Sequence, residues 1–197
     1  MSLRLLLERL DTPIGQMLLV LDDEGHLRAI DWEDYEARMQ RLLRIHYGAD
    51  AVRQLQTVHP AAPANSSASH ALRDYFAGDL DAITRLPTAT NGTPFQRTVW
   101  DALRGIRAGQ TLTYHALATQ IGRPTATRAV GLANGANPIG VVVPCHRVIG
   151  ANGALTGYGG GLHRKRWLLA HEGVSESRPA RSRQNESLFT KLPDLAD

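Results

Sequence analysis

The sequence predicts an α/β N-terminal domain, a small antiparallel sheet with helices, followed by a mainly α C-terminal domain built around a helix-turn-helix. Three observations predict it. The first ninety residues hold three apolar-rich runs divided by short turn-forming stretches. The stretch Leu86-Pro87-Thr88-Ala89-Thr90-Asn91-Gly92 has linker composition. Beyond it, apolar residues recur at helical spacing, and two short helices are separated by a tight Gly-Arg-Pro turn. A chain of 197 residues, 43% apolar, can bury one large core or two small ones. The organisation expected is an α/β domain over residues 1–86, a linker over 87–93, a functional domain over 94–174 and a flexible tail over 175–197.

The elements follow in order. Leu3 to Leu10, Gln16 to Leu21 and Leu27 to Trp32 read as strands, joined by Asp11-Thr12-Pro13-Ile14-Gly15 and Asp22-Asp23-Glu24-Gly25. Such short connections predict a meander. Met39, Leu42, Leu43 and His46 mark a helix over Tyr35 to Tyr47, and a second runs from about Ser69 to Ala77 before Gly78, with Pro60 to Ser69 as loop. Asp31, Glu33 and Asp34 could be mistaken for a metal site but read as a solvated strand end. After the linker, Thr93 caps a helix with Pro94 in its first position and Gln96 completing a capping box. Phe95, Val99, Leu103 and Ile106 form one stripe that should dock on the core. Val141-Val142-Val143, a β-branched run, predicts a buried strand that delivers Cys145 at its exit.

Charge separates the two halves. Residues 1–93 carry 9 basic and 13 acidic groups, whereas residues 94–174 carry 9 basic groups against only Asp101 and Glu172, a net of +7. All of those cations but Lys165 are arginine, the side chain suited to bidentate and stacked contacts. This excess attracts a polyanion, with nucleic acid the leading partner; solvated arginine on a helix face is the alternative. No apolar run approaches the roughly 18 residues of a membrane span, and Glu8 interrupts the apolar start where a signal peptide would continue, so a cytoplasmic location is expected. The single cysteine, Cys145, excludes an intramolecular disulfide and a zinc site built from several thiolates.

Within the basic half, Thr113 caps a short helix through Gln120 with Leu117 and Ile121 one turn apart and Gly122 as its stop. The second helix runs from about Thr125 through Thr127, Arg128 and Gly131 to Asn134. It is a poor reader of base edges, since most positions are Ala, Gly or Thr and only Arg128 is long and charged. Small side chains let the backbone approach a shallow groove, and one guanidinium can fill the stack that a flipped nucleotide leaves. The other reading has the alanines packing a helix crossing and Arg128 on the surface. Cys145 needs a group to take its proton, and His146 and Arg147 are nearest; in an extended strand His146 would face away, so cooperation requires a turn, which Pro144 favours. A buried cysteine beside a surface histidine is the alternative.

Pro144-Cys145-His146-Arg147-Val148, with Arg128-Ala129-Val130-Gly131, Asn137-Pro138, Gly157-Tyr158-Gly159-Gly160-Gly161 and Trp167-Leu168-Leu169-Ala170-His171-Glu172-Gly173, resembles the O6-alkylguanine-DNA alkyltransferases. The N-terminal half, through Asp74-Tyr75-Phe76-Ala77-Gly78 and Leu86-Pro87-Thr88, more loosely resembles their bacterial constitutive branch. The resemblance implies a ribonuclease H-like N-terminal domain and a winged helix-turn-helix-like C-terminal one. It implies irreversible, stoichiometric transfer of the alkyl group of O6-alkylguanine, and of O4-alkylthymine, to Cys145 after base flipping. His146 would act as base through a water, oriented by Glu172; Tyr114 would donate to the guanine ring; Asn137 would join the second helix to the site. Arg128, Tyr114, Thr125, Thr127 and Gly131 would contact double-stranded DNA, and Val148, Tyr158 and Gly159 would line the base pocket. It implies no cofactor, no membrane and no obligatory protein partner; some relatives hold a zinc partly through cysteines, but Cys145 is the only cysteine here, so no metal is expected. Gly140 and Gly159 suggest room for alkyl groups larger than methyl. The competing functions are a non-catalytic alkylated-DNA-binding protein of the same fold, which would lack the nucleophile, and a thiol hydrolase using Cys145, His146 and Glu172, which leaves the basic helix-turn-helix unexplained.

Overall fold

The computed structural model describes residues 3–53, 55–57 and 65–174; the predicted tail and residues 60–64 of the predicted 60–69 loop lie outside them. Strands β1 (Leu5–Thr12), β2 (Gly15–Asp22) and β3 (Leu27–Trp32) form the expected antiparallel meander. β1 begins and ends two residues later than its apolar run, because Thr12 pairs with Gly15 across the turn and Gly15, at φ 116°, supplies the left-handed backbone. Helices α1 (Glu36–Tyr47) and α2 (Ala49–Arg53) lead to β4 (Gln56–Thr57), which adds parallel to β1 and sets the order β3-β2-β1-β4. Neither α2 nor β4 carries a pattern long enough to be predicted. Helix α3 (Ser67–Ala77) starts two residues before the expectation because the Ser66 hydroxyl caps it, accepting from Ser69 N, and it ends at left-handed Gly78.

β2 explains why the sheet holds the molecule together. Its residues from Met17 through Leu21 are all buried, Leu18 and Val20 facing Met39 and Leu43 of α1, and Met17, Leu19 and Leu21 facing a second core. That second core is shared with the C-terminal domain: it includes Tyr75 of α3 and also Val99, Leu103, Leu117, Val130, Val148 and Leu168. The two domains therefore bury one apolar interior. Backbone bonds reinforce the joint, Leu27 N donating to Pro87 O at 2.9 Å, Ala89 N to Leu27 O at 3.0 Å and Ile30 N to Pro138 O at 2.8 Å.

The C-terminal half opens with α4 (Pro94–Arg104), whose capping box has both reciprocal bonds, between Thr93 and Gln96. β5 (Leu112–Thr113), α5 (Tyr114–Gln120), α6 (Thr127–Gly135), β6 (Val148–Ile149) and α7 (Leu162–His171) follow. β5 pairs parallel to β6, and α5 packs on α6 as the helix-turn-helix. α6 begins at Thr127, so Thr125 belongs to the turn before it. The predicted strand at Val141–Val143 is absent. These valines are buried, as the run implied, but they sit in consecutive tight turns, with Val143 N donating to Ile139 O and Cys145 N to Val143 O. A β-branched run reports burial, and a strand further needs a neighbouring edge to pair with. Among the described residues no helix is long and apolar enough to cross a membrane.

Candidate active site

Cys145 ends that series of turns and opens a 3-10 turn, Cys145–Arg147, so the chain turns between Cys145 and His146 rather than running extended. The turn is held from below by Asn137, two residues beyond α6: its Nδ2 donates to Val143 O at 2.8 Å and its Oδ1 accepts from Ile139 N at 3.0 Å. Val141, at φ 70°, is the one non-glycine residue with positive φ among the described residues, a conformation that costs a β-branched side chain about 1–3 kcal/mol. The strain sits beside the thiol, where the surrounding core over-determines the backbone. Burial pushes the Cys145 thiol up, opposed by the Asn137 amide and by the positive charges of Arg38 and Lys165.

Glu172, just past α7, is buried and organises the charged groups behind the thiol. Its Oε1 accepts from His146 Nε2 at 3.0 Å, from Arg147 at 2.7 Å and from the Tyr75 hydroxyl at 2.7 Å, while Oε2 accepts from Arg147 Nε at 2.8 Å. Burial alone would raise its carboxyl, but His146 and Arg147 hold it well below the usual carboxylate range. The Nε2 bond to an anion makes Nε2 the protonated nitrogen of a neutral imidazole, so Nδ1 is the free base. Nδ1 is buried and has no hydrogen-bond partner among the described residues. Burial pushes the imidazole down, against the pull of Glu172.

A pocket in front of Cys145 is lined by Asn137, Gly140, Tyr158, Gly159 and, from the N-terminal domain, Asp31, Trp32 and Arg38. Of the residues expected at the base pocket, Tyr158 and Gly159 are there. Val148 is buried in β6, and its carbonyl accepts from Lys165 Nζ at 2.6 Å. The expected room at Gly159 is not open: a Cβ there would lie 2.5 Å from the Arg38 guanidinium. Arg38 is held by Asp31 at 2.7 Å and donates to the carbonyls of Gly135 and Asn137, so it spans the two domains across the pocket. Lys165 is fully buried, with its second bond to Thr156 O at 2.8 Å, and burial pushes it down to about 8. Arg38 and Lys165 carry no local signal of a place in the site, because a cation inside a helix pattern reads as surface, and Tyr75 stands out only as part of the loosely matching Asp74–Gly78 stretch.

The helix-turn-helix presents the other predicted residues. Arg128 is exposed on α6, Thr125 is exposed before it, and Thr127 approaches His115 at 3.5 Å. Gly131 faces the Tyr114 ring, where a Cβ would make only ordinary contact at 3.8 Å, and the Tyr114 hydroxyl donates to Thr156 O at 3.5 Å. The charge count needs correction as a surface property. Arg147, Arg164 and Lys165 are buried, Arg164 on Asp34 and over the Trp32 ring, which leaves six exposed cations in residues 94–174. Asp31 and Asp34 are thus ion-pair partners, and the described residues hold no cluster suited to a metal.

Comparison with known proteins bears on both halves. The model for the DNA-binding domain of 6-O-methylguanine DNA methyltransferase matches residues 94–174, and the model for its ribonuclease-like domain matches residues 5–90. The chain is 56% identical over 171 residues to the Methylated-DNA--protein-cysteine methyltransferase of Salmonella typhimurium, covering 87% of this chain and 97% of that one. Against the protein of the same name from Methanosarcina acetivorans the identity is 44% over 163 residues, 83% of this chain and 95% of the other. Among solved structures, the Mycobacterium tuberculosis OGT in complex with DNA superposes with a TM-score of 0.69 at 40% identity, over 85% of this chain and 93% of that one.

Proposed function

Since this chain belongs to the 6-O-methylguanine DNA methyltransferase family, whose activity is DNA repair by alkyl transfer to a cysteine of the protein, we propose that Cys145 is the acceptor and that alkylated guanine flipped out of duplex DNA is the substrate. The observation that carries the assignment is the His146 ring, whose Nε2 is fixed by Glu172 while its buried Nδ1 has no protein partner. Nδ1 takes the Cys145 proton through one water. The sulfur then attacks the alkyl carbon in line, a C–S bond forms, and the C–O6 bond breaks with its electron pair going to the guanine. The Tyr114 hydroxyl gives a hydrogen bond to the guanine ring as that charge develops, and the proton taken up by His146 returns through water to the guanine anion, so the base leaves as ordinary guanine and His146 is neutral again. The thioether has no leaving route, so each molecule acts once.

Glu172 stabilises the imidazolium, and Asn137 keeps the turn at Cys145 in register. Arg128 fills the gap in the base stack, while Thr125, Thr127 and Gly131 lie against the duplex. Cys145 in the pocket argues against a non-catalytic binder, and a hydrolase would turn over repeatedly.

The test is intact-protein mass spectrometry after incubation with a duplex oligonucleotide carrying O6-methylguanine. The protein should gain one methyl mass on Cys145 and stop at one equivalent. Cys145→Ser should gain none while binding the same DNA within about 2-fold, because the change is nearly isosteric and a neutral hydroxyl is a far poorer nucleophile than a thiolate. A methylated serine variant, or multiple turnovers by the wild type, would end the assignment.

A further inference from the structure

Tyr75 is fully buried in α3, a helix of the N-terminal domain, and its hydroxyl donates at 2.7 Å to Oε1 of Glu172, 97 residues later in the chain. The same oxygen accepts from His146 Nε2 and from Arg147. One carboxylate oxygen offers about two lone-pair directions, so three donors share it, and each weakens the hold of the others. The phenol is a permanent donor: burial and the neighbouring carboxylate push its ionisation far above the ordinary range. Its ring is itself fixed, with Phe76 and His171 each edge-on at 5.2 Å and the Tyr75 carbonyl accepting from His171 Nε2 at 2.8 Å.

Building on the transfer reaction above, we propose that Tyr75 is a positioning residue of that reaction, contributed by the N-terminal domain: its hydroxyl fixes the Glu172 carboxylate and draws off part of the charge that Oε1 would otherwise direct at His146. The carboxylate is then strong enough to orient the imidazole but too weak to keep it protonated at neutral pH. A neutral His146 is the form that can accept the Cys145 proton. Packing alone would be served by phenylalanine, and a buried phenol is expected to have a partner; here the partner is the one residue that controls the base.

Charged and titratable groups surround this contact from several elements. Arg147 and His146 face Glu172 from the 3-10 turn, Tyr75 faces it from α3, and His171 covers the Tyr75 ring from α7. Lys165 and Arg147 oppose protonation of His146, and Tyr158 stands across from it with ring centres 6.4 Å apart. Removing the Tyr75 hydroxyl leaves all of these in place and returns the shared lone pair to His146 and Arg147.

The experiment compares full-length wild type with Tyr75→Phe, using the free base O6-benzylguanine so that DNA binding does not enter, and follows the rate of Cys145 alkylation from pH 5.5 to 8.5. The acid limb should move up by roughly half a pH unit in the variant, the rate falling about 3-fold more at pH 6 than at pH 8. The ring nitrogen signals of His146, followed by NMR across the same range, should show its titration displaced in the same direction. An unmoved limb, an equal loss at every pH, or a limb displaced downward, as slack in the carboxylate would produce, overturns the proposal. Failure of the wild type to take up the benzyl group at Cys145 would instead overturn the transfer reaction itself.

Discussion

The ground behind Cys145 and the exposed face of α6, both assigned to the proposed reaction, are built on opposite principles. Behind the thiol, Glu172, His146, Arg147 and Tyr75 are all buried, and Glu172 accepts four hydrogen bonds. On α6, Arg128 is exposed, its neighbours are alanine, threonine and glycine, and Leu132 stands 71% exposed one turn beyond it. The first region is fixed by its own contacts before any substrate arrives. The second, on the proposed reading, would acquire its contacts from the duplex. Substitutions in the first should therefore be felt by the protein alone, and substitutions in the second only through DNA.

Glu172→Gln tests the buried side hardest. Removing one partner of a buried ion pair leaves Arg147 uncompensated, so the variant should lose about 3–5 kcal/mol of stability in denaturant unfolding, and it should also transfer more slowly through a weaker hold on the protonated His146. Wild-type stability and rate in this variant would show that the region is not pre-organised in the way described. On the DNA side, six exposed cations in residues 94–174 give a footprint that salt should erode. If roughly four phosphates are neutralised, affinity falls about 100-fold between 50 and 200 mM salt, largely independent of sequence. A flat salt response would remove the charge asymmetry from the DNA argument.

The finest distinction is between Arg128 and an ordinary cation. Arg128→Ala should lower repair in duplex DNA about 10-fold while leaving attack on free O6-benzylguanine nearly unchanged, and the loss should shrink for a single strand or a mismatched site, where extrusion is easier. Arg123→Ala, which removes an exposed arginine from the turn between α5 and α6, should weaken binding only a few-fold and show no such substrate dependence. Arg164 does not serve as this control, because it is buried on Asp34 and its loss would be a stability effect. Equal losses across substrates for Arg128→Ala would reduce it to one more phosphate contact.

The sequence was legible where structure is local. The three-strand meander, the Thr93 capping box, the Thr113 cap and the turn after Pro144 depend on neighbours within a few residues, and each is where the pattern placed it. Cys145, His146 and Glu172 could be picked out because the motifs around them are distinctive, and the structure joins His146 and Glu172 in one network with Arg147 and Tyr75, with Cys145 in the same 3-10 turn as His146. What stayed hidden depends on partners far along the chain. Arg38 meets the carbonyls of Gly135 and Asn137 nearly a hundred residues away, and Arg164 and Lys165 look like surface cations until Asp34 and the Val148 and Thr156 carbonyls are seen around them. Val141–Val143 misled for a related reason: hydrophobicity told of their burial, but no period in the sequence encodes a chain of tight turns.

The outer edge of β3 carries one further consequence. That edge would offer a stranger's chain free amides and carbonyls at Leu27 and Ile30, the arrangement from which intermolecular sheets grow. It is instead occupied from within, by Pro87 to Ala89 at one end and by Pro138 and Ile139 at the other. The segment joining the domains and the segment leading to Cys145 are thus also the guard of an aggregation-prone edge. Any lesion that lets the domains part would expose it, so loss of activity and loss of solubility should arrive together in this protein.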